Sequence, residues 1–229
     1  MIEPLASQPA LIDQVHERLV AAIADGTLRP GEKLTQENIA ERLGVSRQPV
    51  SHALQLLRRR GLAVEQGRRG LVVAPLDPER LRGLYQVRAA LDGLAAALAA
   101  RRAGAGTLPQ SRVAEIVRET QDGARLAGEA APTDRLVQAD LAFHAAIYEL
   151  SGNQAIGDTA REQWPHFARS MNAVLNETAD IGRIWREHQE ILERILAGDE
   201  AGAEQAARDH AERAGEVTAQ SLEAIGNTP

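Results

Sequence analysis

The stretch that decides the fold of the N-terminal third is LRPGEKLTQENIAERLGVSRQPVSHALQLLRRRGLAVEQGRRGLVV, residues 28–73. Its hydrophobic spacing predicts two consecutive helices, over residues 36–43 and 47–59, joined by a turn at Gly44-Val45. An amphipathic segment before it, residues 10–25, predicts another helix. Two helices separated by so short a turn are typical of the helix-turn-helix motif, which places its second helix in the DNA major groove.

Two short apolar segments follow, on either side of a Gly-Arg-Arg-Gly turn. They predict a β-hairpin with strands near 62–66 and 71–74. The tip of this hairpin carries Arg68 and Arg69, whose positive charges suit contact with the minor groove or the phosphate backbone. Three helices and a hairpin within about 75 residues predict a winged helix-turn-helix.

The second helix of the motif has two distinct faces. Its apolar positions follow the spacing of a buried helix face, and they are Val50, Ala53, Leu54 and Leu57. The opposite face and the N-terminal end carry the side chains that we expect to meet bases and phosphates, namely Ser46, Arg47, Gln48, Ser51 and His52. A polar face alone would equally suit a solvated structural domain, but the turn spacing and the basic hairpin tip favour DNA binding.

Charge divides the chain into two parts. Residues 1–75 hold ten Arg/Lys and eight Asp/Glu, a net of +2, whereas residues 76–229 hold sixteen and twenty-four, a net of −8. We therefore expect a DNA-binding domain over 1–75 and a separate acidic domain over 76–229. The small positive charge predicts modest binding per subunit, so that a dimer is needed.

Several classes of protein are excluded or disfavoured by composition. The chain has no cysteine, which excludes disulfides and thiolate ligands, so any metal must be held by nitrogen and oxygen. It has no apolar run of about 18 residues and no basic leader at its N-terminus. We therefore expect a cytoplasmic protein without a membrane partner.

The second part of the chain is predicted to be entirely helical. Apolar periodicity and Gly or Pro breaks predict six helices, over 78–103, 108–127, 133–151, 153–176, 180–197 and 200–224. The expected fold class is thus mainly α, with an N-terminal winged helix-turn-helix and its small hairpin wing, followed by an all-α bundle of about six helices that also dimerises.

Four ionisable residues interrupt the apolar faces of this bundle: Asp140, His144, His188 and His210. Asp140 and His144 are four residues apart on one face, and the two other histidines each belong to a different helix. Three imidazoles and one carboxylate from three helices predict a divalent-metal site, with Zn first and Ni, Mn or Fe as alternatives. The alternative interpretation is a polar core network. His166, next to Pro165, is a weaker competing ligand.

Arg88 is the candidate for effector binding, because it falls on the apolar stripe of its helix. A guanidinium that faces a bundle interior needs a partner, and a ligand carboxylate can bind it through two hydrogen bonds. Asp92, four residues further on, is the alternative partner. Arg169 and Asn172 are weaker candidates for the same pocket.

The motifs of the first part resemble the DNA-binding domain of the GntR family of bacterial transcriptional regulators. The matching positions are Pro30-Gly31, Leu43-Gly44-Val45-Ser46-Arg47, Pro49-Val50, Ala53-Leu54, Leu57, Gly61-Leu62 and Gly70. The resemblance implies that Ser46, Arg47 and Gln48 open the recognition helix on DNA and that Gly70 lets the wing approach the minor groove. Ser51-His52 stands where the family usually has Arg-Glu, which implies an altered operator sequence.

The second part resembles the FCD-type effector domain of the FadR subfamily of those regulators. The matching residues are Asp140, His144, Ser151-Gly152-Asn153, His188 and His210, together with Tyr85 and Arg88. The resemblance implies a divalent metal on the Asp and three His residues, with a small organic acid at its open positions.

The expected function is therefore a ligand-responsive regulator, most simply a repressor, that binds a pseudo-palindromic operator as a homodimer and is not an enzyme. Two alternatives stay open. In a metal sensor the ion itself would be the signal. In a metal-dependent hydrolase with a DNA-binding appendage the ion would activate water, although the ligand motifs lack a separate general base.

Overall fold

The protein is described by a computed structural model over residues 9–67, 70–129, 131–175 and 180–226. Within these ranges the chain folds into nine helices and one two-stranded antiparallel sheet, which confirms the mainly α class. Contacts between Cα atoms divide the chain into two compact units, Met1–Leu76 and Asp77–Pro229.

The N-terminal unit is a winged helix-turn-helix. Its elements in chain order are α1 Pro9–Ala24, α2 Gln36–Leu43, α3 Arg47–Arg59, β1 Ala63–Gln66 and β2 Gly70–Val73. The strands pair in an antiparallel register that sets Ala63 opposite Val73 and Gln66 opposite Gly70. The helix bounds agree with the sequence prediction to within one residue, and each strand lies one residue from its predicted position.

Local chemistry explains where the helices of this unit begin and end. The hydroxyl of Thr35 accepts a hydrogen bond from the backbone N–H of Asn38, 3.3 Å away, and so caps α2. Gly44 ends the same helix with φ of 66°, a left-handed conformation that favours glycine. Ser46 stands at the N-cap of α3 but makes no capping hydrogen bond with its side chain, so its predicted capping role is wrong.

One hydrophobic core holds the N-terminal unit together. Val50, Leu54 and Leu57 on the inner face of α3 are buried, as the periodicity predicted. They pack in one cluster with apolar side chains of α1, α2 and the hairpin, which include Val15, Leu19, Ile23, Ile39, Leu62 and Val73. Because this core fixes the inner face of α3, the polar face of the helix is directed outward.

The C-terminal unit consists of six helices in its described residues. They are α4 Pro78–Gly104, α5 Gln110–Gly128, α6 Thr133–Ser151, α7 Gln154–Val174, α8 Ile181–Leu196 and α9 Glu200–Gly226. Their ends lie within two residues of the predicted bounds. Asp77 caps α4 by accepting from the backbone N–H groups of Glu79 and Arg80, and Pro78 occupies the first turn, where no backbone donor is needed.

The long helices α4 and α9 pack against each other over most of their length, and α6 and α8 both pack against this pair or its neighbours. The apolar core contains Phe143, Trp185, Ile191 and Ile195. Buried alanines of α4 and α9 allow the two helix backbones to approach closely. The four ionisable residues predicted to form a site lie on the inward faces of α6, α8 and α9.

A close contact between α5 and α8 gives a direct test of this packing. A Cβ atom added at Gly123 would lie 1.9 Å from Cη2 of Trp185. We expect Gly123→Ala to destabilise the C-terminal unit by about 1–3 kcal/mol, because overpacking forces the indole out of its position. Urea unfolding followed by tryptophan fluorescence measures this unit alone, since both tryptophans, Trp164 and Trp185, belong to it.

Gly128→Ala is the matched control on the same helix. A Cβ added at Gly128 meets no atom within 4 Å, so this variant should be neutral or slightly stabilised. Equal stability of the two variants would contradict the packing of Trp185 against α5.

Candidate metal centre and DNA-contacting surface

Helices α6, α8 and α9 bring together the four ionisable residues that the sequence singled out. Asp140 and His144 come from successive turns of α6, His188 from α8 and His210 from α9. All four are buried, and each offers one ligand atom such that the four atoms lie within 4.8 Å of one another. The described residues contain this one group of histidines and carboxylates arranged to hold a metal ion.

The distances between these atoms describe a convergent cluster. Nε2 of His188 is 3.2 Å from Nε2 of His210 and 3.5 Å from Oδ1 of Asp140. Nε2 of His144 is 3.9 Å from Oδ2 of Asp140. Ligand atoms that share one ion at about 2.0–2.1 Å are themselves about 3–4 Å apart, so these separations match the spacing of a coordination sphere.

Unpaired buried atoms provide a second test of whether the residues fit a metal. Oδ2 of Asp140 and Nε2 of His144 are buried and have no hydrogen-bond partner within the described ranges of the chain. Leaving such atoms without a partner is unfavourable unless something else binds them. Both atoms belong to the cluster and both are of the type that binds zinc or another divalent ion, so the residues fit the group.

Two further carboxylates orient the imidazole rings from outside the cluster. Oδ2 of Asp92, on α4, lies 3.2 Å from Nδ1 of His144. Oε2 of Glu187, on α8, lies 2.8 Å from Nδ1 of His210. A hydrogen bond from Nδ1–H to a carboxylate leaves the lone pair of Nε2 free, which is the tautomer that a metal-binding histidine needs.

Each of these carboxylates is also part of a larger network. Asp92 accepts a hydrogen bond from the hydroxyl of Tyr148 and contacts Nε of Arg88 at 3.3 Å. Glu187 pairs with Arg183 at 2.6 Å and with Arg213. The cluster is therefore connected by polar contacts to α4, to the rest of α6 and to the outer turns of α8 and α9.

Burial lowers the pKa of two of the histidines. The pKa of His144 falls because burial disfavours its charged form, and the nearby Arg88 adds to this effect. The pKa of His188 falls well below its ordinary value through burial and through repulsion from His210 and His144. Both imidazoles are thus uncharged at neutral pH, the form in which they can bind a metal ion.

The two outer carboxylates are shifted in the opposite sense to simple burial. Burial of Asp92 by itself raises the pKa of its carboxyl, but interactions with His144 and Arg88 outweigh this and hold the pKa well below its usual range. Burial likewise raises the pKa of Glu187, whereas its hydrogen bond with His210 and its pairing with Arg183 lower it to about 2.

Arg88 contacts both acidic partners available to it, and it also borders a cavity. Its Nη2 is 3.6 Å from Oδ2 of Asp140, and its guanidinium lies over the ring of Phe167, 5.0 Å from the centroid. The intrahelical pair with Asp92 that the sequence offered as an alternative is therefore present. Arg88, Asp140 and His210 together line one end of a small cavity in the C-terminal unit.

Some residues of this region were misjudged or missed from the sequence. His166 is buried in α7 and does not belong to the cluster. Glu187 and Arg183 were not predicted, because nothing in the periodicity links α8 to the outer side of His210. Tyr148 could have been found, since it lies four residues after His144 on the same face of α6.

In the N-terminal unit, most of the predicted DNA-contacting residues are exposed around the start of α3. Ser46, Arg47, Gln48 and His52 are exposed, and Arg47 forms an exposed ion pair with Glu37 at 2.8 Å. Ser51 is half-buried and accepts a hydrogen bond from Gln36 at 3.3 Å. Gly70 is exposed at the first position of β2, whereas the predicted contacts Arg68 and Arg69 lie outside the described residues.

Gly70 has a steric reason to be glycine. A Cβ added there would lie 2.7 Å from the backbone oxygen of Gln66, its partner across the hairpin. This explains the residue by the hairpin geometry, and its predicted approach to DNA stays a prediction.

A helix-turn-helix with an exposed polar recognition helix, joined to a helical unit with a buried polar centre, defines the class of ligand-responsive DNA-binding proteins. Comparison with known proteins agrees with this class. Residues 11–73 match the family model described as bacterial regulatory proteins, gntR family, and residues 83–213 match the FCD domain.

Relatives of known sequence or structure are similar over most of the chain. The Glc operon transcriptional activator of Escherichia coli (strain K12) is 30% identical, over 87% of this chain and 85% of its own. The HTH-type transcriptional regulator YdhC of Bacillus subtilis (strain 168) is 24% identical, over 84% of both chains. The crystal structure of a GntR regulator from Rhodococcus sp. RHA1 is 26% identical and superimposes with a TM-score of 0.72, covering 96% of this chain and 100% of its own.

The chain belongs to the GntR family of bacterial transcriptional regulators and carries an FCD domain in its C-terminal unit. The resemblance drawn from the sequence motifs is thereby confirmed. Among the helices of the described ranges, none combines the length and the apolar character required to cross a membrane.

The position of Glu187 predicts how stability responds to acid in metal-free protein. Its folded pKa of about 2 lies below its ordinary value, so its stabilising effect is complete above about pH 4.5 and is lost as the pH falls toward 2. We expect Glu187→Gln to lower the free energy of unfolding at neutral pH by about 1–3 kcal/mol and to reduce the loss of stability over that acidic range.

Urea unfolding of wild type and variant at several pH values, with a chelator present, measures this difference. Glu193→Gln removes an exposed carboxyl from the same helix and should follow wild type. An acid dependence in Glu187→Gln as steep as that of wild type would contradict the assigned contact with His210.

Proposed function

We propose that this protein is a ligand-responsive repressor whose C-terminal unit binds one divalent metal ion and one small carboxylic acid. The observation that carries the proposal is the convergence of four buried ligand atoms within 4.8 Å, from three helices, with two of those atoms lacking a partner. We assign residues 1–75 to DNA binding and residues 76–229 to metal binding, effector binding and dimerisation.

The proposed metal ligands are Asp140, His144, His188 and His210. A divalent ion bound there would act as a Lewis acid that attracts the carboxylate of an effector. Zinc is the first candidate, because three imidazoles and one carboxylate without thiolates suit it, and Ni, Mn and Fe accept the same ligands. Asp92 and Glu187 hold the rings of His144 and His210 in the orientation that this role requires.

Arg88 is the proposed effector contact. It is almost fully buried, it lines the cavity beside Asp140 and His210, and its contacts with Asp92 and Asp140 are long, at 3.3 and 3.6 Å. A carboxylate in the cavity could therefore accept shorter hydrogen bonds from the guanidinium than its present partners do.

For DNA recognition, we propose that α3 enters the major groove with Ser46, Arg47 and Gln48 at its leading end, and that Ser51 and His52 face the bases. Arg68, Arg69 and Gly70 of the wing would contact the minor groove or the backbone. A single recognition helix reads one half-site, so a pseudo-palindromic operator requires a homodimer.

An exposed apolar stripe on α4 supports dimerisation. Val87 and Leu94 are 51% and 45% exposed, and the half-buried Leu91 lies between them. Spacings of four and three residues place all three side chains on one face, which is the pattern of a helix that packs against another helix. A second copy of the chain, related by a two-fold axis, would bring two such stripes together.

An effector can act only if it binds the DNA-competent and the incompetent state with different affinity. This distinguishes the proposal from a metal sensor, in which the ion is the signal. The affinity for operator DNA should be similar with and without metal and should change when an acid is added to metal-loaded protein. A change on adding metal alone would favour the sensor.

The metal site is tested by elemental analysis of untagged protein. We expect about one divalent ion per chain in wild type and a large loss in His188→Ala, because that variant removes one of four ligands. His166→Ala is the control, since it removes a buried histidine of the same unit that lies outside the cluster. A His188→Ala protein that retains a full complement of metal would contradict the site.

The DNA-binding surface is tested by titrating an operator fragment with protein in a gel-shift assay. We expect Arg47→Ala to weaken binding by about 1–3 kcal/mol if the side chain contacts a base. Arg135→Ala removes an equal charge from an exposed position of the C-terminal unit and should bind as wild type does. Unchanged affinity of Arg47→Ala would contradict the assignment of α3 as the recognition helix.

A further inference from the structure

The cavity beside the four-residue cluster carries information about which acid it accepts. This inference rests on the proposed function, because it assumes that the cavity is the effector site. The cavity has three kinds of boundary: the cluster and Arg88 at one end, an apolar wall from α7, α8 and α9, and an ion pair between Arg183 and Glu187.

The size of the cavity limits the effector to a small molecule. Its volume is about 40 Å³. One water molecule needs about 10–15 Å³ on the same scale, so the cavity has room for roughly three waters. A compact acid of about two to four carbons fits such a space with slight adjustment of side chains, whereas a long chain or a sugar acid does not.

Only one end of the cavity is suited to a carboxylate. Arg88 lines it there, together with Asp140 and His210 of the proposed metal site. The guanidinium is 5% exposed and its contacts with carboxylates are long, so a ligand anion placed at this end gains both its donors and the charge of a bound ion.

The middle of the cavity is apolar. Its wall is formed by aliphatic side chains of α7, α8 and α9, namely Met171, Val174, Leu175, Ile184 and Val217. The two hydroxyl groups that border it are already used, since Thr218 donates to the carbonyl oxygen of Ala214 and Ser221 to that of Val217. A ligand group that faces this wall must therefore be apolar if it is not to lose its hydration without compensation.

The second arginine of the cavity is neutralised. Arg183 donates to Oε1 of Glu187 at 2.6 Å, and Glu187 is itself held by His210 and Arg213. Among the described residues that line the cavity, both arginines thus have acidic partners, and Arg88 is the one next to the proposed metal site. A second carboxylate on the ligand would face Glu187 or the apolar wall, and both surroundings are unfavourable for an anion.

We propose that the effector is a short-chain monocarboxylate, with its carboxylate at Arg88 and the metal site and its aliphatic part against the wall that contains Val217. Acids with a second carboxylate are excluded by the absence of a matching cation at the far end. This assigns the chemical class of the effector from the charge distribution within the cavity.

The test compares two acids of equal chain length, butyrate and succinate, by calorimetric titration of the zinc-loaded full-length protein near neutral pH. We expect butyrate to bind at least about tenfold more tightly than succinate, since succinate buries an uncompensated charge. Octanoate, which exceeds the cavity, should bind more weakly than butyrate. Equal or tighter binding of succinate would overturn the inference and leave an acid effector as proposed.

A wall variant tests the position of the aliphatic part. Val217 is half-buried, so Val217→Arg can place a guanidinium at the cavity without filling the core. We expect this variant to shift the ratio of the two affinities toward succinate by about tenfold or more, whereas Val217→Ile should keep the preference for butyrate. An unchanged ratio in Val217→Arg would overturn the placement of the tail against α9.

One further outcome separates the inference from the function on which it rests. Protein that binds zinc but neither acid would overturn the inference together with the effector role of the cavity. Protein that binds no zinc in the same calorimeter would instead remove the metal from the proposed function, and butyrate binding at Arg88 alone would still support the monocarboxylate class.

Discussion

Burial of ionisable groups inside a helical bundle is the constraint on which the rest of the C-terminal unit depends. Asp140, Arg88 and Asp92 are each about 95% buried or more, and His144 and His188 accompany them. Removing such groups from water is costly unless each finds a partner of opposite charge or a hydrogen bond. The network of carboxylates, imidazoles and guanidinium groups meets that requirement at every position except the atoms that converge on the proposed metal.

The same network determines which helices must stay in register. Asp92 joins α4 to α6 through His144 and Tyr148, and Glu187 joins α8 to α9 through His210 and Arg213. A ligand bound among these groups interacts with four helices at once. Changes in the occupancy of one small cavity can therefore alter the relative stability of different arrangements of the bundle, which is the physical basis for a response to an effector.

Much of the fold and part of the site could be predicted from the sequence. The spacing of Val50, Leu54 and Leu57 identified the inner face of α3, and Asp140 with His144 lay four residues apart on one apolar face. By contrast, the hydrogen bond between Glu187 and His210 depends on how α8 crosses α9, which no local periodicity encodes. The hydroxyl of Ser46 was misjudged because capping depends on backbone geometry, which residue type alone does not determine.

The central claim is that Asp140, His144, His188 and His210 bind one divalent ion. X-ray absorption spectroscopy of zinc-loaded protein tests it most directly, because it reports the atoms around the ion itself. The account predicts nitrogen and oxygen neighbours at about 2.0–2.1 Å with the scattering signature of three imidazole rings. A spectrum with one imidazole or none would contradict the claim and would make these four residues a polar core network.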